Sequence, residues 1–184
     1  VERVYQKTDQ AIFASFGGTS FGDIALVPAP HLKHPRGIRG VAEWYMSTIT
    51  RRNYIYQVFE KQCEIALKNL EIINKTVGNK VSVIFVSGTD FGAQEGSFIS
   101  PDAYRDLFKP FHRQVNEWIH NNTEWKTFIH SCGSVVNLIE DFMDAGFDII
   151  NPIQCSAAGM DPEFLKEKYG SRIVFWGGGV DTQK

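Results

Sequence analysis

The sequence has no long apolar segment and no long run of charge of one sign. Its longest apolar stretches are strand-sized, far short of the roughly 20 residues that span a bilayer, and the first residues, VERVYQK, lack the pattern of a secretory signal. The 19 basic and 21 acidic residues are interspersed, which argues against a nucleic-acid patch or a polybasic membrane anchor. We therefore expect a cytoplasmic protein that acts on small molecules and contacts neither nucleic acid nor membrane.

Cysteine is also scarce, with three residues in a chain of 184. An odd number of widely spaced cysteines, in a chain long enough to bury a core, argues against a disulfide framework. Cys63 falls within an apolar helical pattern, so we assign it to the core, where a free cysteine behaves as a small hydrophobe. Cys132 and Cys155 each follow a strand-like run, and those two thiols require another explanation.

A phosphate-binding glycine fingerprint is missing after the first predicted strand, because Gly17-Gly18 does not match it. This absence argues against a doubly wound nucleotide-binding fold. What the chain does contain is strands alternating with helices, which is typical of parallel βαβ units. We predict strands at 11–15, 81–86, 127–130, 148–152 and 173–176, and helices at 53–76, from 101 onward, at 135–145 and at 162–169.

A (β/α)8 barrel fits this order best, because polar residues follow several of the strands, as they do at the active face of such barrels. About five strands are present, whereas a complete barrel has eight and needs around 250 residues. The chain also begins without Met and ends just after a strand. We therefore expect one domain over residues 1–184, a partial barrel of about five parallel strands from the interior of a longer barrel.

The helix at 53–76 has the clearest pattern in the sequence. Its apolar residues recur at steps of three and four and predict one buried stripe, made of Tyr56, Phe59, Cys63, Ala66, Leu70, Ile73 and Val77. The next helix has Ser100 as its cap and Pro101 in its first turn. Pro110 is expected to kink it.

Two other groups of residues are assigned to the surface. The segment from Phe21 to Arg39 is rich in Pro, Gly and His, which predicts a surface excursion that carries substrate contacts. The histidines outside the third predicted strand are expected at the surface or at helix ends: His31, His34, His112 and His120.

His130 and Cys132 are the strongest candidates for a functional site. They end the strand-like run KTFIHSCG, and residues two apart on a strand point to the same side. Zinc favours histidine and cysteine ligands. Cys155 follows the next strand, which lies beside the first in a barrel, so its thiolate is a candidate third ligand. The alternative is a hydrogen-bonded histidine next to a buried thiol.

Polar residues after other strands are candidates for catalysis and substrate binding. Asp90 and Gln94 lie in the glycine-rich loop after the strand at 81–86, and Asp181 follows three glycines. Aspartates are also common turn residues, which is the alternative for both. We predict catalytic roles for Asp90, His130 and Asp181, and substrate contacts for Ser87, Gln94, Gln154 and Gly178.

Three segments resemble the uroporphyrinogen decarboxylase superfamily: IFVSGTDFGAQEGSFISPDAYRDLFKPFHRQV, FIHSCGSVVNLIEDFMDAGFDIINPIQC and VFWGGGVDTQ. That superfamily comprises the decarboxylases (lyases) of porphyrin and haem biosynthesis and the cobalamin-dependent methyltransferases. The resemblance extends from about Phe13 to the end of the chain. It implies a (β/α)8 TIM barrel, in agreement with the strand pattern.

The methyltransferase branch is the closer of the two. There a His-x-Cys pair binds zinc together with a late Cys, and the zinc activates a thiol acceptor; His130 and Cys132 match the pair, and the late Cys has no counterpart. The decarboxylase signature Gly-Asn-x-Asp-Pro appears as Gly178 to Thr182 with its Asn and Pro changed. The resemblance thus implies a zinc-assisted methyltransferase that moves a methyl group between a corrinoid carried on a partner protein and a thiol-type acceptor. A uroporphyrinogen decarboxylase and a non-catalytic corrinoid-binding relative are the alternatives.

Overall fold

The structure is a computed structural model that describes residues 1–23, 33, 40–181 and 183. Its sheet consists of five parallel strands in sequential order. They are β1 (Phe13–Ala14), β2 (Val83–Ser87), β3 (Lys126–His130), β4 (Ile149–Asn151) and β5 (Val174–Phe175). The prediction of an α/β chain with five parallel strands in the arrangement of a partial barrel is confirmed.

Seven α-helices lie among the described residues. They are α1 (Glu2–Lys7), α2 (Val41–Thr50), α3 (Arg52–Val77), α4 (Pro101–Leu107), α5 (Lys109–Asn122), α6 (Ile139–Asp144) and α7 (Pro162–Tyr169), with short 3-10 turns at Gly78–Lys80 and Val136–Leu138. None of these helices combines the length and the apolar character needed to cross a bilayer.

The sheet is strongly curved, as its aromatic side chains show. In a flat sheet β1 and β5 would be four strand spacings, roughly 19 Å, apart. The ring of Phe13 on β1 nevertheless lies 6.0 Å from the ring of Trp176, just after β5, and 4.9 Å from that of Phe128 on β3. These rings and Phe85 therefore line a concave face. His130 belongs to the same face, because it is two residues after Phe128.

The alternate residues of the strands point to the convex face, where the helices form the core. Ile84, Ile129 and Ile150 are buried there, in one apolar cluster with side chains of α3, α5, α6 and α7. The predicted stripe of α3 is largely confirmed. Its central members are buried and its ends are partly buried: Phe59, Cys63, Ala66 and Leu70, and then Tyr56, Ile73 and Val77.

The predicted helix from Pro101 is interrupted rather than kinked. Ser100 caps α4 as expected, since its hydroxyl accepts a hydrogen bond of 3.1 Å from the backbone N–H of Ala103. Pro110 has no N–H to continue the ladder, so α4 ends at Leu107 and a new helix starts at Lys109. In α5 Pro110 occupies the first turn, where a missing donor costs nothing.

His112 corrects the assignment of the remaining histidines to the surface. It is fully buried on α5, where the rings of Phe91 and Phe147 pack around it. Its Nδ1 has a partner, the hydroxyl of Tyr104 at 2.9 Å, which makes burial tolerable. His120 lies at the end of α5 as expected, 2.9 Å from Asp148.

The predicted surface excursion can be compared with the structure only at its edges. Residues 24–32 and 34–39, including His31 and His34, lie outside the described residues. Phe21 at its start is fully buried and packs on Phe59 and Phe111, so the excursion does not begin as early as predicted.

Candidate metal centre

His130 and Cys132 come together at the carboxyl end of β3, as their spacing predicts. The Nε2 atom of His130 lies 3.3 Å from the Sγ atom of Cys132. Asp90, in the loop after β2, brings its Oδ1 atom to 4.0 Å from the same Nε2. All three side chains are partly buried, and their ligand atoms lie within 4.8 Å of one another. Three donors of these types at this spacing could hold a metal ion.

Two glycines let the loops after β2 and β3 approach closely enough to form this cluster. Gly133 has a φ of +77°, and a Cβ on it would lie 2.4 Å from the carbonyl carbon of Gly92. Backbone contacts fix the two loops, since Ser134 N–H donates to the carbonyl of Ala93 at 2.7 Å. The Asp90 carboxylate is held in turn by the N–H of Cys132, at 2.7 Å from Oδ1. The glycines of HSCG and DFG are thus what places Asp90 beside Cys132.

Asn151 orients the imidazole, and sequence reasoning did not identify it. It lies opposite His130 in the register of β3 and β4, and its Oδ1 atom is 2.6 Å from His130 Nδ1. Its amide N–H donates to the backbone carbonyl of Trp176 at 2.6 Å. The pairing of Asn151 with His130 depends on the register of β3 and β4, which is known only once the sheet is known.

The surroundings of Cys132 favour its neutral thiol over the thiolate. Burial, and then the charge and hydrogen bond of Asp90, raise its pKa to about 11. A thiolate formed there would face the carboxylate of Asp90 without compensation. A cation held between the two groups would offset the repulsion between the thiolate and the carboxylate, because metal ions stabilise coordinated thiolates.

Tyr45 also contacts the loop that carries Asp90. Its hydroxyl donates to the backbone carbonyl of Asp90 at 2.5 Å, and its ring stacks on Phe98 with 5.0 Å between centroids. Burial, with the charges of Asp90 and Asp23 adding to it, raises the pKa of Tyr45. The phenol therefore stays a neutral hydrogen-bond donor at physiological pH.

The structure does not bring Cys155 into this cluster. Its thiol lies 3.6 Å from the carbonyl of Ile153 and 3.8 Å from that of Gly178. The cluster found among the described residues consists of Asp90, His130 and Cys132. Gln154, next to Cys155, does reach the centre, since its side-chain oxygen accepts a hydrogen bond from the N–H of Gly133. The third candidate ligand is thus the predicted catalytic residue Asp90, and coordination by Cys155 stays a prediction.

The other predicted site residues make contacts that hold the loops. Ser87 is buried with its hydroxyl 3.3 Å from that of Thr89, and Gln94 donates to the carbonyl of Ser156 at 2.5 Å. Asp181 accepts from the backbone of Gln183 at 2.9 Å, as a turn aspartate does. Gly178 has a φ of +83° and donates to the carbonyl of Pro152. Their roles toward a substrate stay predictions.

The chemistry of the three donors suits zinc. A thiol, an imidazole and a carboxylate are its usual protein ligands, and catalytic sites commonly have three such ligands and one open position. A magnesium or calcium site would be built from oxygen alone. The partial exposure of the cluster leaves it accessible to an ion and to a small molecule.

Comparisons with known proteins agree with the fold. No protein-family model matches the chain, and no curated protein matches it by sequence. Among solved structures the chain is similar to a methyltransferase from Methanosarcina mazei, with a TM-score of 0.53 and 16% identical residues. The similarity covers 91% of this chain and 42% of the methyltransferase, so the chain spans less than half of that protein's length. At this identity the likeness establishes the fold.

Proposed function

We propose that this chain carries the metal centre of a zinc-assisted methyltransferase of the uroporphyrinogen decarboxylase superfamily. The observation that carries the proposal is the cluster of Asp90, His130 and Cys132, with its ligand atoms within 4.8 Å. It lies at the carboxyl ends of parallel strands, where barrel enzymes have their active sites. The likeness to a methyltransferase of known structure supports the same reading.

In this proposal the three side chains have distinct tasks. Cys132 supplies a thiolate and His130 supplies Nε2, the atom that already faces Sγ at 3.3 Å. Asp90 contributes a carboxylate oxygen and, through its bond to the backbone of Cys132, holds the loop that carries the thiol. When bound there, zinc lowers the pKa of an acceptor thiol so that it is available as the more nucleophilic thiolate.

The proposed substrates are a small thiol-type acceptor and a methylated corrinoid carried on a partner protein. In the transfer the bond between the methyl carbon and cobalt breaks and its electron pair stays on cobalt. A bond between sulfur and the methyl carbon forms from an electron pair of the acceptor thiolate, whose proton has passed to solvent. Gln94, Gln154 and Asp181 are proposed to orient the acceptor, because they follow strands whose carboxyl ends border the cluster.

Metal analysis of purified variants tests the ligand set. Wild-type protein equilibrated with Zn²⁺ and then dialysed should retain about one zinc per chain, measured by atomic emission. Cys132→Ser should lose most of it, because a hydroxyl is a far poorer ligand than a thiolate. Cys63→Ala, which removes a thiol from the core, is the matched control and should retain its zinc, and Cys155→Ser tests the predicted role of the other thiol. Equal zinc in the Cys132 variant and wild type would refute the proposed centre, and zinc lost from the Cys155 variant would add that residue to it.

An activity assay tests the chemistry. Methylcobalamin and a small thiol should give the methyl thioether in the presence of the zinc-loaded chain, and the rate should fall in Cys132→Ser. Methyl transfer that persists at the same rate in rigorously metal-free protein would reject the zinc mechanism. Decarboxylation of a porphyrinogen by metal-free protein would replace it with the lyase alternative.

A further inference from the structure

Asn151 connects the candidate ligand His130 to the neighbouring strands. The two residues are register partners on β4 and β3, and both face the concave side of the sheet. The Oδ1 atom of Asn151 lies 2.6 Å from Nδ1 of His130, and its Nδ2 atom lies 2.6 Å from the backbone carbonyl of Trp176. Three strand ends are thus joined through one amide.

The orientation of this amide follows from its partners. A backbone carbonyl only accepts hydrogen bonds, so the group that faces Trp176 has to be the NH₂ of Asn151. Its oxygen then faces His130, and an amide oxygen only accepts. The nitrogen of His130 that carries the hydrogen is therefore Nδ1 in the neutral ring.

The consequence concerns the other ring nitrogen. With Nδ1 protonated, Nε2 has a free lone pair, and this is the atom 3.3 Å from Cys132 Sγ and 4.0 Å from Asp90 Oδ1. A neutral imidazole coordinates a metal through its unprotonated nitrogen, and the bond made by the other nitrogen decides which one that is. The opposite tautomer would present an N–H to the ligand cluster.

We propose that Asn151 is a positioning residue that holds His130 in the Nδ1–H tautomer and directs Nε2 to the metal centre. The proposal rests on the proposed zinc site for its functional consequence, but the tautomer itself does not require metal. Trp176 participates only through its backbone carbonyl, which fixes the amide against rotation. Outer partners of this kind commonly contribute 10- to 100-fold to metal affinity.

Nitrogen-15 NMR of the metal-free chain tests the tautomer directly. At a pH where the imidazole is neutral, the ring of His130 should show a protonated Nδ1 and an unprotonated Nε2. Asn151→Leu removes the acceptor at similar volume and should shift the ring toward a mixture with Nε2–H. Asn69→Leu, on the exposed face of α3, is the control and should leave the spectrum of His130 unchanged. A wild-type ring protonated at Nε2 would overturn the proposal.

Titration with Zn²⁺ or Co²⁺ tests whether Asn151 increases the metal affinity of the site. Asn151→Leu should bind either ion roughly 10- to 100-fold more weakly than wild type. Asn151→Asp retains an acceptor for Nδ1–H and should recover most of the affinity, which a merely structural role would not produce. Equal losses in the Leu and Asp variants, with the tautomer of His130 unchanged in both, would contradict the positioning role.

The NMR experiment and the metal titration distinguish the positioning role of Asn151 from the zinc proposal. Wild-type chain that shows the Nδ1–H tautomer but binds neither ion would refute the metal centre and support the orientation of His130 by Asn151. Tight binding of Zn²⁺ or Co²⁺ by a wild-type chain whose His130 ring is protonated at Nε2 would support the metal centre and refute the positioning role of Asn151.

Discussion

At the scale of single residues, Gly133 shapes the candidate metal centre without being one of its candidate ligands. Its φ of +77° is strained for any residue that has a Cβ, and a Cβ added to it would lie 2.4 Å from the carbonyl carbon of Gly92. Gly133→Ala should destabilise the fold by at least ~1 kcal/mol and weaken zinc binding, because the loop that carries Cys132 has to move away from Asp90. Chemical denaturation and zinc titration measure the two effects.

Gly96→Ala is the matched control, because nothing lies within 4 Å of the Cβ it would add. It lies in the same loop as Gly92 and should change neither quantity measurably. Zinc affinity in Gly133→Ala equal to that of the Gly96 variant would show that the close approach of the two loops does not position the ligands.

His112 makes the stability of the fold dependent on pH. Burial lowers its pKa from 6.5 to about 3, so the folded chain excludes a proton that the unfolded chain accepts below pH 6.5. Stability from this residue is therefore complete above pH 6.5 and is lost progressively as the pH falls toward 3. Between pH 7 and pH 5 the loss should be roughly 2 kcal/mol, measured by urea unfolding.

The control for this effect is the double variant His112→Phe with Tyr104→Phe. The hydroxyl of Tyr104 is the partner of His112 Nδ1, so changing both residues leaves no orphaned polar group. Its stability should change less between pH 7 and pH 5 than that of wild type, by the same roughly 2 kcal/mol. The same pH dependence in both proteins would assign it to other groups.

At the scale of elements, α3 is fixed to the core by one face. Leu70 is buried at 2% exposure, and Ile72, two residues later on the same helix, is 63% exposed. Leu70→Ala should cost roughly 2 to 5 kcal/mol because it leaves a cavity, whereas Ile72→Ala should change the free energy of unfolding by less than ~0.5 kcal/mol. Similar costs measured by denaturation would mean that the faces of α3 are misassigned.

The elements themselves were largely predictable from sequence, and the exceptions have local causes. Period and length identified α3 and α7, and Ser100 marked the start of α4. Pro110 was predicted to kink a single helix. A helix start accepts proline more easily than a helix interior does, so the helix is interrupted at Phe108 and a new one starts at Lys109. His112 was misplaced because helical spacing does not reveal that a tyrosine eight residues earlier gives its Nδ1 atom a hydrogen-bond partner.

At the scale of the whole molecule, the site divides into a part visible in sequence and a part that depends on the sheet. His130 and Cys132 were predictable because a strand places residues two apart on one side. The contacts of Asp90 with Cys132 and of Asn151 with His130 join different strands. They depend on register and on the approach of Gly92 to Gly133, which no local pattern records. Cys155 was proposed on strand adjacency alone, and adjacency does not fix where a thiol points.

The curvature of the sheet also decides what surrounds the site. Phe13 and Trp176 remain 44% and 50% exposed on the concave face, beneath the end of β3 that carries His130. The candidate metal cluster of Asp90, His130 and Cys132 therefore lies at the rim of an aromatic surface. This placement follows from the ring contacts between β1, β3 and the end of β5.

X-ray absorption at the zinc edge of the zinc-loaded chain tests the proposed metal centre through the atoms that surround the ion. A centre formed by Cys132, His130 and Asp90 predicts one sulfur at about 2.3 Å and nitrogen or oxygen neighbours at about 2.0 to 2.2 Å. In Cys132→Ser the sulfur contribution should disappear. Zinc without a sulfur neighbour in the wild-type chain, or a sulfur contribution that survives in Cys132→Ser, would rule out Cys132 as the thiolate ligand.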